Sequence, residues 1–144
     1  MLIEVLIFIL ICLFVIAKFL KRRPRRIRFI GGRGTGKTSL LNYLLSYNYK
    51  TVPTLERYTI KYKNCTLEEV PEKDGEFLTK YSIDDPNLEY YFFIKDLEDY
   101  EILRKLIDMK KFNLKFVMVK ENLESKKEDL ICLKGDFNLF KKIL

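Results

Sequence analysis

The chain has 144 residues, room for one small domain and a short appendage. It carries 27 Lys and Arg against 20 Asp and Glu, a net charge of +7, and no histidine; this removes His-based acid–base chemistry, His-containing triads and His metal ligands. Cys12, Cys65 and Cys132 stand far apart, without metal-site spacing, and read as small apolar residues.

Residues 1–20 are nearly all Leu, Ile, Val and Phe, broken only by Glu4 and Lys18. As a helix they would reach about 30 Å, the thickness of a bilayer's hydrocarbon core, and both charges lie near the ends, where side chains can snorkel to the headgroups. A cleaved signal peptide would want a basic start and small residues at a cleavage site; neither is present. The expectation is a transmembrane anchor over 1–20.

Residues 21–28 follow as a basic juxtamembrane linker, Lys-Arg-Arg-Pro-Arg-Arg-Ile-Arg, with six positive charges. Positive residues beside a membrane helix stay cytoplasmic, so the remainder of the chain is expected in the cytosol. Elsewhere acidic and basic side chains nearly cancel. No basic excess is left for a nucleic-acid face, and no direct nucleic-acid partner is expected. The linker itself suits anionic lipid headgroups, and Pro24 argues against a continued helix.

The domain is then expected over 29–144. An apolar strand over 26–30 ends at Gly31, and Gly31-Gly-Arg-Gly-Thr-Gly-Lys-Thr38 completes a GxxxxGK[ST] phosphate loop. The loop opens onto a helix expected over 37–47. The context matters as much as the letters, because the motif works where a strand ends, the chain turns around a phosphate and a helix begins. Glycines let successive N–H groups point inward, and the helix terminus adds partial positive charge. The nucleotide-binding candidates are Gly31, Gly32, Arg33, Gly34, Thr35, Gly36, Lys37, Thr38 and Ser39, with Lys37 reaching the outer phosphates and Thr38 placed for magnesium. An ordinary Gly-rich turn would account for the glycines but not for the Lys-Thr pair.

Beyond a polar loop, Tyr58, Ile60 and Tyr62 alternate in a half-exposed strand over 57–63, and Asn64 suggests a tight turn into a strand over 65–70. Residues 71–87 read as loop with one helical turn. The run over 88–94 reads as a buried parallel strand, 97–111 as a helix with Ile102, Leu103, Leu106 and Ile107 inward, and 114–119 as another strand. A last strand over 130–133 and a short helix over 137–144 close the chain. Only residues 120–129 separate the last two strands, fewer than a parallel crossover usually takes, which leaves the final strand's placement open. Alternation of this kind implies an α/β domain: three layers around a mostly parallel sheet, P-loop NTPase-like, after one N-terminal transmembrane helix.

On these residues the chain resembles the Ras-like GTPases, and in layout the signal recognition particle receptor beta family: one N-terminal membrane helix, a basic linker and a small cytosolic GTPase domain. The resemblance implies GTP or GDP with Mg2+ as ligands. It implies Thr54 of Thr51-Val-Pro-Thr54 as the switch threonine sensing magnesium. It also implies Glu69 in place of the metal-side aspartate, Glu72 in place of the glycine beyond it, and Lys73 where a water-positioning residue would stand. Val119-Lys-Glu-Asn122 is similar to the base-reading segment, with Lys120 matched and Asn122 replacing an aspartate; an amide accepts fewer of guanine's donors, so guanine preference should be weakened. Cys132-Leu-Lys134-Gly135 would form the remaining base-side loop. No catalytic residue is assigned, and hydrolysis is expected to be slow at best without a partner. The implied setting is the endoplasmic reticulum membrane, with a cytosolic receptor alpha-type subunit as partner and a ribosome-associated role. Two alternatives stay open: a membrane-tethered ATPase or kinase, and a degenerate scaffold that binds nucleotide poorly.

Overall fold

A computed structural model describes residues 2–20, 24–47, 55–119 and 127–144. Helix α1 spans Leu2–Leu20, about 28 Å at 1.5 Å per residue. Its described apolar side chains stand exposed, from Ile3 to Ile16. Counted over the described residues alone, no helix is long and apolar enough to cross a membrane.

Six strands form one sheet in the order β2-β3-β1-β4-β5-β6: β1 Arg25–Gly31, β2 Tyr58–Tyr62, β3 Cys65–Glu69, β4 Glu89–Ile94, β5 Asn113–Met118 and β6 Leu130–Cys132. All neighbours run parallel except the β2–β3 hairpin. Helices α2 (Lys37–Leu44) and α5 (Asn138–Lys141) cover one face, where Leu40, Leu41, Leu44 and Phe140 meet Ile27, Phe29, Leu67, Tyr91 and Phe93. On the other face lie α3 (Phe77–Lys80) and α4 (Leu97–Leu106), where Phe77, Tyr100 and Leu103 meet Ile30, Tyr90, Phe92 and Phe116. The domain is therefore a three-layer α/β fold with a mostly parallel sheet. Strand β4 is apolar on both faces because both are covered, as in parallel sheets generally.

Two expectations about the elements change. The helix expected to 111 stops at Leu106, since Ile107 is extended (φ −102°, ψ 129°). Ile102 and Leu106 are exposed, and Tyr100 fills the core instead. The expected boundary between a linker over 21–28 and a domain from 29 also moves, because β1 already starts at Arg25. The reason is long-range charge pairing. Arg25 makes a two-pronged contact with Glu89 at 2.8–3.2 Å. Arg28 is buried and donates to Glu68 at 2.6 Å, Asp84 at 2.6 Å and the Ser82 carbonyl at 2.5 Å. Three of the six linker charges thus belong to the sheet. The strand whose placement stayed open pairs parallel with β5, Phe116 opposite Leu130.

Removing Arg28 would take the buried cation from between Glu68 and the Ser82 carbonyl, leaving Glu68 with Arg57 alone and the exposed Asp84 to water. Arg28→Met is expected to cost about 1.5–3 kcal/mol, the worth of a hydrogen bond to a charged group, read as a lower urea midpoint with an unchanged slope; an unaltered midpoint would show the cluster to be energetically idle.

Candidate phosphate-binding site

In a parallel sheet ligands gather at the carboxyl ends of the strands, where the chain order reverses. Here β1 is flanked by β3 on one side and β4 on the other, so the crevice opens at the end of β1, where Gly31–Thr38 turns into α2. Gly31 has φ 130°, and a Cβ there would lie 2.2 Å from the Phe93 carbonyl oxygen. Gly36 precedes α2 in a left-handed conformation, with φ 95°. Both conformations favour glycine, and they turn the loop back over the strand end while leaving the first N–H groups of α2 without intrahelical acceptors.

Within this turn the Lys37 ammonium folds back to donate to the Gly31 and Gly32 carbonyls, each at 2.8 Å. It is buried, and burial holds its pKa below the ordinary lysine value despite the nearby Glu69 and Glu72 carboxylates. Thr35 Oγ1 donates to the Gly32 carbonyl at 2.8 Å, bracing the loop. Arg33 and Gly34 are exposed at its tip, and Ser39 is half-buried in the first turn of α2.

Glu69 ends β3 fully buried, and one of its oxygens accepts from Thr38 Oγ1 at 2.8 Å. A hydroxyl oxygen beside a carboxylate is of the hard, oxygen-donor kind that a magnesium ion takes. One hydroxyl and one nearby carboxylate suit magnesium, which is held by few protein ligands together with phosphate oxygens and water. Among the described residues no group of three or more His, Cys, Asp or Glu converges as a metal cage. The second Glu69 oxygen accepts a short hydrogen bond from the Tyr58 hydroxyl of β2. Tyr58 was absent from the sequence-derived site.

Glu72, three residues past the end of β3, pairs with Lys80 at 2.8 Å. That bond, aided by Lys37 and Arg33, holds the Glu72 carboxyl below the usual range, so it is charged at neutral pH. On the other flank, Gly135 N donates to the Val119 carbonyl at 3.0 Å. Val119 Cγ2 lies 2.9 Å from where a Cβ on Gly36 would be. A cleft of about 320 Å³ opens there, lined by Gly36, Lys95, Val119 and Gly135 among others. The structure thus gathers Gly31 to Ser39 with Glu69, and brings the Lys134–Gly135 turn beside them. Thr54, Lys120 and Asn122 lie outside the described residues.

Several tyrosines around this core are held protonated. Burial first, then a carboxylate partner, raises Tyr58 and Tyr91 well above the ordinary value of 10.0 and Tyr100 to about 12. A raised folded-state pKa contributes stability that is complete below the unfolded value and is lost as pH climbs past it. Melting temperature is therefore expected to be steady up to about pH 10 and to fall by roughly 5 °C or more by about pH 11.5. In Tyr91→Phe the alkaline fall should be shallower; an equally steep one would refute the assignment.

No protein-family model matches the chain, and no curated protein is similar to it.

Proposed function

We propose that this is a membrane-anchored GTP-binding subunit of the signal recognition particle receptor beta kind, a P-loop NTPase-like domain that binds GTP or GDP with Mg2+. In this reading α1 is a single-pass anchor in the endoplasmic reticulum membrane. The C-terminal domain lies in the cytosol and holds a receptor alpha-type partner for co-translational, ribosome-associated protein targeting. The observation that carries the nucleotide part is the cradle itself: Lys37 and Thr38 delivered by one turn to the carboxyl edge of the sheet, with Glu69 holding the Thr38 hydroxyl. The anchor rests on the exposed apolar surface of α1 and the basic residues that follow it.

Glu72 adds a charged carboxylate near Lys37 and Arg33, where it would oppose a terminal phosphate, and Lys73 offers no group to orient an attacking water. Hydrolysis is accordingly slow or absent without a partner, and nucleotide serves as a structural or switching ligand. A second reading, a membrane-tethered ATPase or kinase, draws on the same Thr38–Glu69 pair, which any P-loop hydrolase could use.

The deciding experiment is thermal unfolding of the full chain in detergent with GTP, GDP, ATP or xanthosine nucleotides, with and without magnesium. Ligand that binds the folded state raises the midpoint by mass action. A response confined to guanine nucleotides supports the proposal, and an ATP response with turnover supports the second reading. Indifference to all of them would leave a scaffold that no longer uses nucleotide.

A further inference from the structure

We infer that the pole of the domain opposite the phosphate loop is a docking surface for anionic phospholipid headgroups; the inference rests on the membrane anchoring proposed for α1. Helix α1 ends at Leu20 and β1 begins at Arg25, five residue steps apart, a reach of about 18 Å at most. Whatever bilayer holds α1 therefore lies close to the amino end of β1. The nucleotide loop lies at the other end of that strand, roughly 20 Å farther out.

The parallel topology decides what else gathers at the near pole. Arg25 is in register with Cys65, which brings the Lys63–Asn64 turn there. Glu89 is in register with Asn113, which brings the 108–112 turn. Arg25 donates to the Ile143 and Leu144 carbonyls at 3.2 and 3.4 Å, which brings the last turn of the chain. Lys63, Lys110, Lys111 and Lys142 are exposed on these segments. The carboxylates of the same pole are largely engaged: Asp84 by Arg28, Asp85 by Arg26 and Glu89 by Arg25. Asp108 is exposed there too, accepting from the Lys110 backbone N–H at 3.0 Å. Among the described residues none of the four lysines has a carboxylate ion pair.

The basic pole is a matter of segregation, because the folded part as a whole is nearly balanced in charge. Leu106 at the end of α4 and Tyr47 beyond α2 add exposed apolar surface, at 59% and 53% exposure, of the kind that settles among headgroups. Basic side chains on such a face fall within a Debye length of about 8–10 Å of the lipid charge.

The test uses the full chain in phosphatidylcholine nanodiscs, with and without phosphatidylserine, carrying a trace of headgroup-spin-labelled lipid. Amide signals of Lys63, Lys110 and Lys111 should broaden several-fold more in the anionic discs, while those of Gly34 and Asp74 stay sharp in both. Lys110→Glu with Lys111→Glu, checked for a dispersed native spectrum, should lower the surface-held population at Lys63 at least roughly tenfold. Equal broadening in neutral and anionic discs, or broadening centred on Gly34, overturns the inference. Alkaline carbonate separates the two levels. If it strips the chain from vesicles, the anchoring reading falls and this inference with it; if the chain stays but no lysine broadens, only the docking surface is refuted.

Discussion

Lys37→Ala is expected to weaken binding of nucleoside di- and triphosphates at least about a hundredfold while the domain still folds. The ammonium sits in the turn, 2.8 Å from two loop carbonyls, and a bound polyphosphate would compete for it with full negative charge. Hydrogen bonds between charged groups contribute about 1.5–3 kcal/mol each, and 1.4 kcal/mol is a factor of ten, so losing two of them accounts for the estimate. Unliganded stability should change little, because the substitution also relieves the burial that depresses the lysine's pKa. Titration calorimetry of wild type and variant with GTP and GDP checks this. Thr38→Ala is the companion: it keeps Lys37, removes the hydroxyl held by Glu69, and should abolish the magnesium dependence of binding more than binding itself. Unchanged affinity in Lys37→Ala would remove the nucleotide from the proposal altogether.

Gly31→Ala is expected to be the most destabilising single change in the loop. Its φ of 130° is one that side chains rarely adopt, and the added methyl would come 2.2 Å from the Phe93 carbonyl oxygen. That oxygen belongs to β4, the buried strand beside β1, and has nowhere to go. Backbone strain of about 1–3 kcal/mol and overpacking of about 1–3 kcal/mol act together, a large share of a typical domain stability of about 5–15 kcal/mol. Gly32→Ala is the control, since its nearest neighbour would be Thr35 Cγ2 at 3.9 Å and its expected cost is below about 1 kcal/mol. Unfolding free energies of the two variants, from denaturant titration, should differ by about 2–5 kcal/mol; similar midpoints would mean that the close approach of β1 to β4 does not constrain the loop.

What could be read from the residues is what depends on short spans of chain. The phosphate loop is one: its strand, glycines and Lys-Thr pair occupy a dozen consecutive positions, and they fold as that spacing demands. The hairpin is another, and it contained more than was taken from it. A two-residue turn at Lys63–Asn64 sets Tyr62 against Cys65, and counting outward puts Tyr58 opposite Glu69, so the hydroxyl that shares Glu69 with Thr38 followed from register alone. The arginines after α1 misled for the opposite reason. A run of like charges resembles a solvated linker, whereas the partners that draw Arg25 and Arg28 into the sheet, Glu89 and Glu68, lie 64 and 40 residues away. Helix α4 failed similarly: Tyr100 outcompeted Ile102 and Leu106 for the core because the space beside Phe116 takes a ring, its centroid 5.1 Å from that of Phe116.

The early start of β1 also limits where the chain can be severed. A cut at or before Pro24 separates α1 and leaves the strand whole. A cut after Arg28 carries away the amino half of a strand wedged between β3 and β4, and the loop at its other end loses its footing. Proteolysis that frees the domain from α1 and proteolysis that destroys it are thus separated by four peptide bonds, and only a cut ahead of the sheet leaves the loop at the far end of β1 supported.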